Sequence, residues 1–196
     1  MARWKRNLRP YAYTLGALLL LAYPFLVPSP YYASLVIHVY IMAIYALSFD
    51  LLLGHTGLLS LGHTLFFGLG AYGMALFALK AGWPMGLAFL MALLLAAVAS
   101  LLFGALSLRV TGLYFAMVTL AFAEIFHLAA EKLSRLTGGA DGLTGIPVPA
   151  WLQDRTTFYY GALLLLAFTL FLLYRLFQAP VGSVWRAIRE NERRAQ

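Results

Sequence analysis

Apolar residues run through this chain in blocks about as long as a bilayer is thick, separated by short polar, glycine- or proline-bearing stretches. The first block, Tyr11–Val27, is closed by Pro28 and Pro30 and lies at the short end of the ~17–25 residues a membrane helix needs. A secretory signal peptide is the other reading of a basic start followed by an apolar run. Its core is usually shorter, about 7–15 residues, and no small-x-small cleavage site follows here. Five more blocks predict five more spans: Tyr31–Leu53, Thr64–Lys80, Met85–Leu108, Thr111–Leu133 and Phe158–Phe177. The fold class expected is all-α, a polytopic membrane helix bundle of about six spans. Residues 1–10 form a basic tail, 11–177 the membrane domain with an external loop at 134–157, and 178–196 a charged cytoplasmic segment.

The second and third blocks are joined by a stretch that plain anchoring does not require. Gly54, His55, Thr56, Gly57, Ser60, Gly62, His63 and Thr64 interrupt LLLGHTGLLSLGHTLFFGLGAYG, Leu51–Gly73. Glycine permits close backbone approach, and polar side chains can satisfy backbone groups freed by a helix break. Two readings stand. The stretch is a short surface connector, or it is a broken helix lining a substrate path, as in many transporters. Asp50, next to it, would cost about 2.5–3.5 kcal/mol at the bilayer centre and much less near the interface.

Two stripes run along later spans. Ala92, Ala96, Ser100 and Gly104 recur every four residues, which suits close helix packing. Gly112, Ala116, Thr119 and Ala123 share one narrow face of the fifth span, with Glu124 and His127 beside it, three residues apart. An ionisable group at that depth is a functional candidate; the alternative is a strut between helices. Gly138, Gly139, Gly142, Gly145, Pro147 and Pro149 exclude a continuous helix in the long polar connection.

Composition then narrows the class. The 196 residues are 63% hydrophobic and 11% charged, against about 45–50% and about 25% in a soluble domain. Without cysteine there is no disulfide frame or thiolate site. The net charge of +7 reads as membrane orientation, with no nucleic-acid partner expected. With both termini inside, ten of the 14 Lys and Arg residues fall on inner segments and four (Lys80, Lys132, Arg135, Arg155) on outer ones. The expected localisation is the plasma (inner) membrane, multi-pass, with cytoplasmic N- and C-termini. Trp185 and Ile188 share one face of a basic C-terminal helix over Val181–Gln196.

Catalysis is not expected. Ser60 and His63 lack a third residue to orient the histidine, and His55 and His63 are eight apart, unlike helical metal ligands at i, i+3 or i, i+4. No phosphate-binding loop is present, so no nucleotide cofactor and no metal are assigned to this chain.

Four stretches, in order, carry a family resemblance: ALSFDLLLGHTGLLSLGHTLFFGLGAYGMAL (Ala46–Leu76), SLRVTGLYFAMVTLAFAEI (Ser107–Ile125), LTGGADGLTGIP (Leu136–Pro147) and GSVWRAIRENERRA (Gly182–Ala195). Together they resemble the permease subunits of the branched-chain amino acid ABC importer family, LivM-like branch. The resemblance implies an ABC importer permease fold, paired with a second permease subunit. It implies two cytoplasmic ATP-binding subunits, which hold the ATP, and a periplasmic or external substrate-binding protein. Substrates would be leucine, isoleucine or valine, with urea or short amides in related permeases. It places ATPase docking on Arg186, Ile188, Arg189, Glu190, Glu192 and Ala195. The path expected is Gly54, His55, Gly57, Ser60, Gly62, His63, Thr119 and Glu124. Family chains continue past the position of Gln196, so a fragment or a truncated gene product is expected. The rival readings are an ATP-independent secondary transporter or channel and a non-transporting truncated fragment.

Overall fold

The structure is a computed structural model that describes residues 18–27 and 29–190. The basic tail 1–10 and the start of the first span lie outside the described residues. Residues 18–26 are helical (α1). They are followed by α2 (Pro30–Asp50), a π-helical turn (Leu51–Thr56), α3 (His63–Leu79), α4 (Met85–Ser107) and α5 (Leu113–Lys132). Then come short α6 (Ser134–Thr137), a 3-10 turn (Gly139–Asp141), short α7 (Ala150–Gln153), α8 (Arg155–Gln178) and α9 (Pro180–Glu190). Among the described residues, four helices are long and apolar enough to cross a membrane: Pro30–Thr56, Met85–Ser107, Leu113–Lys132 and Arg155–Gln178. The chain is thus an all-helical, multi-pass membrane protein.

Two compact units divide the chain, 1–44 with 150–171, and 45–149 with 172–196. The first is held by tyrosines. Tyr159 is fully buried and packs with Ile37 and Tyr40. Its hydroxyl donates to the Leu20 carbonyl at 2.7 Å. Having one proton, it therefore accepts from the Tyr40 hydroxyl, also at 2.7 Å. Tyr23 stacks on the Tyr159 ring at 6.0 Å, and Arg155 donates to the Pro30 carbonyl at 2.8 Å. In an apolar span such bonds satisfy groups that lipid cannot.

The second unit is built on close helix contact. Gly73 of α3 faces Ala92 of α4 so tightly that a methyl group at Gly73 would lie 3.4 Å from the Ala92 Cα. Ala75, Ala78, Ala88 and Ala99 are buried nearby, so small residues bring the two backbones together. The chain turns between them at Gly82, whose φ of 66° suits glycine, with Trp83 stacked on Phe77 at 5.2 Å. Phe103 of α4 meets Phe122 of α5 at 4.9 Å.

The long connection ends earlier than the expected 134–157. Asp154 accepts from the Thr157 amide at 3.2 Å and so caps α8, which takes in Arg155, Thr156 and Thr157. At its other end, α6 folds back on α5, with the Thr137 hydroxyl donating to the Ala130 carbonyl of α5 at 2.5 Å. Lys80 donates to the Arg135 carbonyl.

Candidate functional site

The interruption foreseen between the second and third blocks exists, and it has a defined construction. Gly57, at φ 75° and ψ 8°, ends the π-helical turn in the left-handed region that glycine favours. The Leu52 carbonyl collects three donors there: the Gly57 amide, the Leu58 amide at 3.2 Å and the Thr56 hydroxyl at 2.6 Å. The chain then runs without helix through 57–62 and re-enters helix at His63. The re-entering helix has 17 residues, which at about 1.5 Å each is roughly 25 Å, short of the ~30 Å apolar core of a bilayer. The non-helical segment beside it has backbone groups without helical partners, and these need partners elsewhere in the protein.

Thr119 of α5 provides one. Its hydroxyl accepts the Leu61 amide at 3.1 Å and donates to the Ala116 carbonyl at 2.9 Å. Gly62 lies directly on the Thr119 backbone: a Cβ there would be 3.0 Å from the Thr119 carbonyl carbon and nearer still to its oxygen. Glycine is required at this position by space, since its φ of −88° suits any residue.

His63 opens α3 against the end of α2. Its Nε2 lies 2.7 Å from the Ser48 hydroxyl. Ser48 has one proton and lies 2.8 Å from the Tyr45 carbonyl, which can only accept. Ser48 therefore donates to Tyr45 and accepts from His63. This assigns the neutral ring an Nε2–H, with the buried Nδ1 as an acceptor that has no partner among the described residues. The rings of Tyr45, at 5.1 Å, and Phe49, at 5.8 Å, flank the imidazole.

This construction walls a cavity of about 470 Å³ lined by residues of α2, the π-helical turn, the 57–62 segment, α3, α4 and α5. That volume suits a small molecule. Leu51, Leu58, Phe66, Phe103 and Phe122 give it aliphatic and aromatic walls. No Asp, Glu, Lys or Arg among the described residues lines it. The hydroxyls of Ser48, Thr56, Ser100, Ser107 and Thr119 all donate to carbonyls of their own helices. Their protons are committed, and the wall they leave is an apolar one.

Ser60, Gly62, His63 and Thr119 of the expected path meet in this cavity. Gly54, His55 and Gly57 do not line it. They meet the end of α8 and α9: His55 stacks on Phe177 of α8 at 3.8 Å and 7°, Arg189 of α9 donates to the Gly54 carbonyl at 2.6 Å, and a Cβ at Gly57 would touch the Arg189 side chain at 3.2 Å. His55 Nδ1 lies 3.8 Å from the exposed Asp50 carboxylate. Glu124 lines a separate cavity of about 310 Å³ with His127, Tyr72 and Thr64. Glu124 and His127 form no hydrogen bond with each other. Of the expected docking residues, Ile188 is half-buried and Arg189 exposed. Glu192, Ala195 and the side chains of Arg186 and Glu190 lie outside the described residues. Sequence reasoning missed Ser48, Phe103, Ser107 and Phe122 as cavity residues, because a serine or phenylalanine in an apolar helix carries no signal of its own.

Comparison with known proteins agrees with the motif reading. The family described as branched-chain amino acid transport system / permease component matches residues 31–196. The chain is 34% identical to the high-affinity branched-chain amino acid transport system permease protein LivM of Escherichia coli (strain K12) over 179 residues, covering 78% of this chain and 42% of that protein. Identity to the LivM of Salmonella typhimurium strain LT2 is 33% at the same coverage. The chain spans less than half the length of these curated relatives. No solved structure matches it.

Proposed function

The chain belongs to the branched-chain amino acid transport permease family, and from that premise we propose that it forms part of the translocation path of an ATP-driven importer of branched-chain amino acids. The apolar cavity carries this reading. Five of its hydroxyls are bonded to their own helices, which leaves Ser60 and the His63 Nδ1 as its unbonded polar atoms, and no Asp, Glu, Lys or Arg among the described residues lines it, so it favours a branched aliphatic side chain over a charged one. It is walled by a helix break, the kind of backbone that membrane proteins tolerate where it lines a cavity.

In this reading a second permease completes the path, two cytoplasmic ATP-binding subunits supply the ATP, and an external binding protein delivers the substrate. The protein sits in the inner membrane with both termini cytoplasmic, as the lysines and arginines favour. The segment from α9 onward meets an ATP-binding subunit through Arg186, Ile188, Glu190, Glu192 and Ala195. Arg189, already bonded to Gly54, ties α9 to the helix break, so movement of α9 reaches the cavity wall.

Gly104 tests the proposal. It lines the cavity, and a Cβ on it would meet nothing within 4 Å, so a side chain can start there, and Gly104→Leu narrows the space. In the full transport complex, leucine uptake should fall about tenfold or more, the scale on which an apolar pocket senses one methylene. Normal assembly with unchanged uptake would remove the cavity from the path.

A further inference from the structure

We propose that the second cavity, between α3 and α5, is a binding site for a primary ammonium group. Four polar side chains converge on it: Thr64 and Tyr72 from α3, Glu124 and His127 from α5. None of them forms a hydrogen bond or ion pair among the described residues. The contrast with the neighbouring cavity is sharp, for there the hydroxyls of Ser48, Thr56, Ser100, Ser107 and Thr119 are bonded to backbone. The first cavity keeps only the Ser60 hydroxyl and the His63 Nδ1 unbonded, whereas here a carboxylate, an imidazole, a phenol and a hydroxyl, three of them on the exposed residues Thr64, Glu124 and His127, face one space without a bond among the described residues.

The donor set selects the ligand. A carboxylate, a neutral imidazole nitrogen and two hydroxyl oxygens are acceptors, and an ammonium brings three N–H donors and a positive charge. No lysine or arginine among the described residues lines the cavity, so a carboxylate has no counter-charge there. The size of the cavity, about 310 Å³, is at the small end of ligand sites. Leu65 lines both cavities, so they lie on either side of the start of α3. The source of the ammonium rests on the transport reading above: it is the α-ammonium of the amino acid during passage. The site itself does not depend on that reading, because any small primary amine carries the same group.

The test uses the transport complex in lipid nanodiscs without nucleotide, titrated by calorimetry with 3-methylbutylamine, which has the ammonium and no carboxylate, and with 4-methylpentanoate, which has the reverse. The amine should bind and the acid should not. Glu124→Gln, close to isosteric, should weaken amine binding about ten- to a hundredfold, the value of a charge-assisted bond, and Tyr72→Phe should weaken it less. Gly104→Leu should leave amine binding intact. Amine binding that is absent, or equal in the parent and Glu124→Gln proteins, overturns the site. So does a Glu124→Gln complex that loses a subunit while its amine affinity is kept, since Glu124 is then a subunit contact. If the amine binds through Glu124 while the complex carries no leucine, the site stands and the transport reading falls. Leucine uptake with unchanged KM in Glu124→Gln, beside Glu124-dependent amine binding, overturns the α-ammonium as the source and leaves a site for free amines.

Discussion

The Thr119 hydroxyl holds the Leu61 amide at 3.1 Å, across 58 positions of chain, while its own proton goes to Ala116. One side chain thereby fixes the non-helical segment 57–62 to α5. The bond is part-buried: Thr119 is 7% exposed and Leu61 43%.

Thr119→Val keeps the shape and removes the acceptor, leaving the Leu61 amide unpaired at a cost of about 1–3 kcal/mol. The variant should unfold at lower temperature in detergent, and amides of 57–62 should exchange faster with deuterium. Thr119→Ser should stay near the parent. Equal stability of all three would mean that the segment is held by something other than this bond.

Tyr159 and Tyr40 give an ordered pair of effects. Tyr159→Phe removes the donor to Leu20 and the acceptor for Tyr40 together, and should cost about 1–3 kcal/mol through buried groups left unpaired. Tyr40→Phe removes one donor and leaves Tyr159 still bonded to Leu20, so its cost should be smaller, about 0.5–1.5 kcal/mol. Thermal unfolding of the two variants checks the order, and a reversal contradicts the donor directions assigned here.

Arg189→Ala should release α9 from the Gly54 carbonyl. The stability change is small, because Arg189 is exposed. The readable effect lies in coupling: faster amide exchange over 180–190, and fewer leucine molecules carried per ATP hydrolysed in the assembled transporter. An unaltered ratio would remove Arg189 from the link between α9 and the break.

Much of this was readable in the residues. The glycine, histidine and threonine between Leu53 and Leu65 announced an interruption, because neither a packed nor a lipid-facing helix needs them. Block lengths placed α2 to α5 within a few residues. What stayed hidden were relations across the chain. Ser48 and His63 sit 15 positions apart and meet only because the segment between them folds back. His55 and Glu124 appear equally suited to a path, yet one turns to Phe177 and the other to a different cavity, since the rotation of each helix about its axis is set by its neighbours. The end of the long loop was missed because Asp154 reads as a loop residue until its carboxylate is seen bonding to Thr157.

The shortness of α3 sets a preference for surroundings. A rod of 17 residues beside longer ones asks the adjoining lipid to thin or tilt, at a modest penalty for every ångström of misfit. Membranes with long, stiff acyl tails press hardest on this flank, and shorter tails relieve it. The species of fatty acid around the protein thus acts on the same stretch of backbone that borders the apolar cavity.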